Sequence, residues 1–311
     1  MGKSTLFNAL LKKQQAYVAN FPFATIEPNV GVVPVPDPRL AKLAEIVHTN
    51  KLVPATVEFV DIAGLIKGAS QGEGLGNKFL SHIRETDAIV HVVRAFSDAN
   101  VIRQGVTEPK SDFETVKTEL ELADLEMQER RVSKQKGDEE LPLFAKKPFL
   151  VAVNVDEGEL TNAAELEKKY AEQLGVDVNQ MIVISAKTEA ELSELTENEQ
   201  AEYLKDLGVE KSGLERLITK AFATLGLMTY LTAGEIEARA WTIHKDTAAP
   251  DAAGVIHTDF VKHFISAKVC GYDDFVRYSG WKGAAEAGRV RTEGRDYVMQ
   301  DGDVVEFMIG K

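Results

Sequence analysis

Short apolar runs alternate with longer amphipathic stretches along the chain as far as Ser185. Apolar or alternating residues near Val30 to Val33, Thr56 to Asp61, Ala88 to Val93, Pro148 to Asn154 and Met181 to Ser185 predict strands. The stretches near Thr5 to Lys12, Leu75 to Glu85, Asp112 to Lys136 and Asn162 to Leu174 predict helices. Strands and helices in alternation imply an α/β fold, a parallel sheet with crossover helices, whose ligand edge lies at the C-terminal ends of the strands.

Beyond Ser185 the pattern changes. Thr188 to Ala223 reads as helical, with Leu192, Leu195, Leu204, Leu207, Leu214 and Leu217 as packing residues and charges on the other side. Leu227 to Thr232 then leads into a C-terminal domain. Its short β runs, Ala238 to Ile243, Tyr297 to Met299 and Val304 to Ile309, surround a more helical middle, a pattern consistent with a β-grasp. The expected domains are therefore 1–225 and 226–311, with no internal repeat between them.

The residues that carry chemistry fall at the predicted ligand edge. Gly2-Lys3-Ser4-Thr5 has the form of the tail of G-x-x-x-x-G-K-[ST], running straight into a helical stretch. Such a loop turns backbone N–H groups and the positive end of a helix toward phosphates. Lys3 would then reach the β- and γ-phosphates and the Ser4 hydroxyl would bind Mg²⁺. Ser or Thr at this place also serves as an ordinary helix cap, so the tetrapeptide needs support from elsewhere. Thr25, between Pro22 and Pro28, stands where a switch threonine reaches metal and γ-phosphate. Val57 to Gly64 reads as a strand ending in D-x-A-G, with Asp61 near the metal and the Gly64 N–H at the γ-phosphate.

Two later strand ends would read the base. Asn154-Val155-Asp156-Glu157 stands where guanine-specific proteins carry N-K-x-D, with Val155 in place of the ring-covering lysine and Glu157 in place of the aspartate. The longer carboxylate arm no longer fits the guanine fork, which weakens guanine preference. Ser185-Ala186-Lys187 closes the following strand and is expected to lie against the base. His82 and His91 are expected to pack rather than act as acid or base, because phosphoryl transfer depends on positioning and charge.

Composition adds limits. The 311 residues allow two or three domains, and there is neither an apolar run long enough to span a bilayer nor a signal-peptide pattern. The single cysteine, Cys270, excludes an internal disulfide and fits a reducing, cytoplasmic setting. A net charge of −13 excludes a generally basic surface, so contact with RNA must be local. The candidate is Lys282, Arg289, Arg291 and Arg295 with Tyr278, Trp281 and Tyr297 nearby, although the same residues also suit a solvated domain face.

The chain resembles the YchF or Obg-like ATPase family of P-loop NTPases. The resemblance rests on Asn20 to Asn29 (N-F-P-F-A-T-I-E-P-N), Asp61 to Ser70, Gly72 to Asn77, Ile83 to Asp87, Arg239 to Ile243, Gly254 to Phe260 and Asp301 to Val304, which together span nearly the whole chain. It implies a Mg²⁺-dependent ATPase, with GTP use possible, that binds the ribosome, expected at the large subunit. It also implies a helical arm at about 112–140 and a C-terminal TGS domain of β-grasp form. Lys3, Thr25 and Gly64 would be catalytic. Gly2, Lys3, Ser4, Thr5, Asn154, Val155, Glu157, Ser185 and Ala186 would bind nucleotide, and Ser4, Thr25 and Asp61 would bind metal.

The chain departs from the family pattern in two places. The strand and G-x-P-N-V that precede G-K-S-T in the family are not in this sequence, and their loss would lower nucleotide affinity. The return of the arm is short, since Gly137 to Glu140 leads almost directly to Leu141 and the next strand. Separately, Leu65 stands where many relatives carry a water-orienting glutamine, so slow intrinsic hydrolysis is expected. Two other readings stay open at this point: an Obg-type GTPase, and an interaction module that does not hydrolyse nucleotide.

Overall fold

The computed structural model describes residues 2–20, 29–62, 75–97, 108–133 and 143–310. In chain order the elements are α1 (Lys3–Asn20), β1 (Val30–Pro34), α2 (Arg39–Val47), β2 (Leu52–Val53), β3 (Thr56–Val60), α3 (Leu75–Glu85), β4 (Ile89–Arg94), α4 (Pro109–Ser133) and β5 (Phe149–Asn154). They continue through α5 (Ala163–Leu174), β6 (Met181–Ile184), α6 (Ala186–Leu192), α7 (Glu197–Asp206), α8 (Gly213–Thr224), β7 (Leu227–Ala233), β8 (Ala238–His244) and α9 (Ala249–Ile256). The last are α10 (Asp259–His263), β9 (Phe264–Gly271), α11 (Tyr272–Arg277), α12 (Trp281–Glu286), β10 (Arg291–Glu293) and β11 (Asp303–Ile309). They divide into two units, Met1–Val33 with Glu58–Leu225, and Pro34–Val57 with Gly226–Lys311.

In the first unit β4, β5 and β6 form a parallel sheet in that order. Leu150, Val151, Ala152 and Val153 of the central strand are essentially unexposed, as expected where helices cover both faces of a parallel sheet. Val93, Val153 and Val183 pack with Phe113 of α4 and with Tyr170 and Ala171 of α5. The expected strands at Val30 and Thr56 form as well, but among the described residues they pair with each other as β1 and β3 rather than joining this sheet. Apolar alternation marks a strand without naming its partner, because pairing is non-local.

The helical region after Ser185 is three helices rather than one run. Thr196 starts α7 with a capping box to Glu199, and the Ser212 hydroxyl accepts from Glu215 N–H at 3.1 Å to start α8. Each polar cap satisfies orphan N–H groups and so lets a new helix begin. The helix expected at Asp112 to Lys136 forms as α4, tied back by Asp124, whose carboxylate accepts from Phe144 and Ala145 N–H at 2.8 and 2.9 Å. Residues 134–142, where the short return was expected, lie outside the described residues.

The second unit is a six-stranded sheet ordered β10-β9-β11-β7-β8-β2, with β11 parallel to β7 and antiparallel to β9. Tyr230, Phe264, Ala267, Val269 and Val305 of the sheet pack against Ala249, Ala252 and Ala253 of α9, and the Tyr230 hydroxyl donates to Ala252 O at 3.0 Å. Residues Pro34 to Val57, expected in the first domain, belong here. Leu52 and Val53 pair in parallel with Ala238 and Arg239. Arg39 donates to Thr229 Oγ1 at 2.8 Å and pairs with Asp301 at 2.9 Å. The expected strand Tyr297 to Met299 is reduced to a single bridge between Val298 and Ala248. Among the described residues no helix is long and apolar enough to cross a membrane.

Candidate functional site

The three parallel strands end in register. Arg94 lies opposite Asn154, and Asn154 opposite Ile184. The ladder runs one step further on each side, Ala95 N–H to Asn154 O at 2.8 Å and Val155 N–H to Ile184 O at 2.9 Å. That order brings the Asn154 turn and the start of α6 to the same sheet end. Asn154 Oδ1 accepts from Ala186 N–H at 2.8 Å, and both residues are buried. Ser185 caps α6, its hydroxyl accepting from Thr188 N–H at 3.4 Å and from Thr188 Oγ1 at 3.0 Å.

Onto this floor comes the start of α1. Gly2 adopts φ +88°, a region open to glycine, and a Cβ there would overlap Asn154 Nδ2 and lie 3.1 Å from the Ala186 Cβ. Gly2 O accepts from Leu6 N–H at 3.0 Å, which closes the first turn of α1, and Ser4 and Thr5 are exposed at that turn. Lys3 Nζ forms an ion pair with Asp61 Oδ1, with both side chains partly buried. Asp61 is held at the end of β3 by its N–H donating to Asn29 O at 2.9 Å. Three segments far apart in sequence thus meet: the α1 turn, the end of β3, and the paired ends of β5 and β6.

Not every predicted residue faces this corner. Val155, expected over the base, is 2 % exposed and packs among Val93, Phe113, Val153 and Tyr170. Its short apolar side chain gains more from the core than from the rim. Ser185 is likewise buried and engaged as a cap, so it supports the site from below. Glu157 stays half-buried, and its Oε2 lies 3.5 Å from Thr188 Oγ1 and 3.4 Å from Tyr203 OH. Thr25 and Gly64 lie outside the described residues, as does Leu65.

Hard oxygen donors are present in the form Mg²⁺ takes, the Asp61 carboxylate and the Ser4 hydroxyl. Among the described residues no cluster of three or more His, Cys, Asp or Glu side chains could hold a metal alone. His91 is not part of the corner: it is buried edge-on against Phe113 and Phe149, and burial holds it down at about 4. His82 is exposed on α3.

A family model described as 50S ribosome-binding GTPase matches residues 1–154, and one named YchF-GTPase_C, described as a protein of unknown function, matches residues 227–310. The Ribosome-binding ATPase YchF of Bacillus subtilis is 45 % identical over 99 % of this chain and 96 % of its own length. This chain belongs to the YchF family. The Haemophilus influenzae YchF is 46 % identical with the same coverage. The solved structure of the Schizosaccharomyces pombe YchF GTPase matches with a TM-score of 0.85 at 35 % identity, over 99 % of this chain and 95 % of that one. The fold of the first unit is thus that of a P-loop NTPase, and a C-terminal domain follows it.

The alignment with the Bacillus subtilis YchF runs over 351 positions against 311 residues here, so that relative carries positions this chain lacks. Sequence reasoning missed two side chains at the corner. Tyr203 and Thr188 reach Glu157 from α7 and α6, and no motif marks them. Asp156 takes Ser97 N–H and Oγ, both at 3.0 Å, and caps the 3₁₀ turn Glu157–Asn162 with Glu159. The Asp156-x-x-Glu159 spacing of that capping box was a readable signal.

In the second unit the basic and aromatic residues divide. Arg295 donates to Phe264 O and Val261 O at 3.1 and 3.3 Å. Arg291 donates to Tyr297 OH at 3.0 Å and lies 3.4 Å from Glu293. Trp281 packs edge-on against Phe275. Lys282 and Arg289 are exposed.

Proposed function

We propose that the protein is a cytoplasmic, Mg²⁺-dependent ATPase that acts as a nucleotide-controlled switch on the ribosome. The observation that carries this is the meeting of Lys3 with Asp61 beside Gly2, Asn154 and Ala186. A lysine and helix-turn amides at one sheet end, with a carboxylate alongside, are the groups a nucleoside triphosphate needs at its phosphates. Lys3 would release Asp61 and turn to the β- and γ-phosphates, while the turn at Gly2 to Thr5 would supply N–H groups. Mg²⁺, held through Ser4, Thr25 and water on Asp61, would neutralise charge on the phosphate oxygens. Gly64 and Thr25 would report the γ-phosphate to their neighbouring segments. Asn154 and Ala186, with Ser185 beneath and Glu157 at the rim, would form the base end.

The names of the relatives, ribosome-binding ATPases, support the partner and the activity, and the second unit is read as a TGS domain of β-grasp form. Its exposed Lys282 and Arg289 are the groups proposed to meet RNA on the large subunit. GTP use is a second reading, favoured by the match of residues 1–154 to a GTPase model. The test is co-sedimentation of the intact protein with ribosomes in a non-hydrolysable ATP analogue, a GTP analogue and ADP. Stronger retention with the ATP analogue than with ADP is expected; equal retention in all three states removes the switch.

A further inference from the structure

The helix that carries Ala186 into the corner, α6, has only seven residues and is too short to hold its own place. At its start Ala186 N–H donates to Asn154 Oδ1 at 2.8 Å. One turn later Glu189 is buried, and its Oε1 accepts at 2.6 Å from the N–H of Gly213, the first residue of α8. The first N–H groups of a helix have no partner within it, so a carboxylate placed there is held firmly. Burial raises the Glu189 carboxyl above its ordinary range, opposed by the Gly213 and Leu214 N–H groups, Lys13 and the Ser212 hydroxyl. Gly213 leaves no room for a side chain: a Cβ there would lie 2.5 Å from Ile184 Cγ1 and 3.0 Å from Glu189 Oε1. The start of α8 therefore meets both the end of β6 and the Glu189 carboxylate. The phosphate turn has a separate anchor, since α1 reaches α8 through Lys13 and Glu215, 3.7 Å apart.

We propose that Glu189 is a positioning residue for the base, its carboxylate fixing α6 against the start of α8 so that Ala186 stays against Asn154 at the base end. Glu189 touches no ligand itself, and its role holds only if that corner binds nucleotide, as proposed above. Loosening α6 would then cost affinity for the base and leave the phosphate contacts of Gly2 to Thr5 in place.

The test is a set of calorimetric Kd values for Mg·ATP and for Mg·tripolyphosphate, which has no base, in the intact protein, Glu189→Asp, Gly213→Ala and Glu189→Gln. Aspartate keeps the charge but is one methylene short, so α6 must shift to reach the Gly213 N–H. Gly213→Ala strains the same contact from the α8 side and carries the test should Glu189→Asp fail to fold. Each should lower the preference for ATP over tripolyphosphate about tenfold. Glutamine keeps the length and a carbonyl acceptor, so Glu189→Gln should hold the preference to within about twofold. An unchanged preference in Glu189→Asp or in Gly213→Ala, including an equal weakening of both ligands, overturns the inference. So does a preference lost in Glu189→Gln and kept in Glu189→Asp, since charge rather than position would then act. An unaltered protein that binds tripolyphosphate as tightly as ATP overturns it too, while leaving the phosphate reading intact. Binding of neither ligand by the unaltered protein overturns the functional reading itself, and this inference with it.

Discussion

Gly2 lies so close to the Asn154 side chain that no Cβ fits between them, and its φ of +88° is one that an alanine adopts only with strain. The contact joins the start of α1 to the turn after β5, which are otherwise unconnected in sequence. Gly2→Ala must therefore displace either the α1 turn or the Asn154 side chain. Nucleotide affinity should fall at least about tenfold, roughly 1.4 kcal/mol, with little change in the denaturation midpoint of the rest of the unit. Titration with a fluorescent ATP analogue checks this, and unchanged affinity would show that the close approach has no part in binding.

His91 makes the first unit sensitive to acid. Its folded-state value is about 4 against an ordinary 6.5, because burial beside Phe113 and Phe149 disfavours the charged ring. The unfolded chain takes up a proton below pH 6.5 and the folded one does not, so this contribution is complete above 6.5 and is lost as pH falls from 6.5 toward 4. At full extent it amounts to about 3 kcal/mol. His91→Leu should flatten the fall in stability between pH 6.5 and 5, measured as urea midpoints. Equal slopes in both proteins would contradict the assignment.

Arg39 ties the segment from Pro34 to Val57 into the second unit. It holds the nearly buried Asp37 through Nε and Nη2, each at 2.8 Å, and reaches Asp301 and Thr229 as well. Those acidic partners keep its guanidinium well above the ordinary arginine range. Arg39→Ala should destabilise this unit by on the order of 2 kcal/mol, since Asp37 is left without its partner. Arg39→Lys should recover little, lacking the planar fork. Thermal unfolding of the three proteins decides it; full recovery by lysine would mean that charge alone matters.

The basic residues of the second unit should separate by role. Arg295 is spent on the carbonyls of Phe264 and Val261, whereas Lys282 and Arg289 are exposed. Lys282→Glu with Arg289→Glu should weaken ribosome co-sedimentation and make it less salt-dependent, with the thermal midpoint unchanged. Arg295→Ala should lower the midpoint instead. Undiminished co-sedimentation of the double variant would remove this face from the ribosome contact.

Much of the first unit was legible because its strands are short, apolar and buried on both faces. Leu75 to Glu85 matches α3, and the runs ending at Asn154 and Ser185 match β5 and β6 to within a residue. The candidate corner was legible for the same reason, since parallel strands put their C-terminal turns together whatever lies between them. Pairing partners were not legible. Nothing local in Leu52-Val53 says that it will lie beside Ala238, and Phe264 to Gly271 mixes polar and apolar residues too irregularly to announce β9. The inward turn of Val155 was hidden as well, because an apolar residue in a ligand motif and one in a core look alike until the sheet is assembled. Tyr203 was invisible because its contact with Glu157 crosses 46 positions.

The central claim is that Lys3, now paired with Asp61, is the phosphate-binding lysine of a Mg·ATP site. Calorimetric titration of Mg·ATP into the intact protein and into Lys3→Ala addresses it most directly. One saturable site in the unaltered protein, weakened on the order of a hundredfold or about 3 kcal/mol in Lys3→Ala, is the predicted result. Equal affinity in the two proteins, or a heat of binding that does not depend on Mg²⁺, would contradict it.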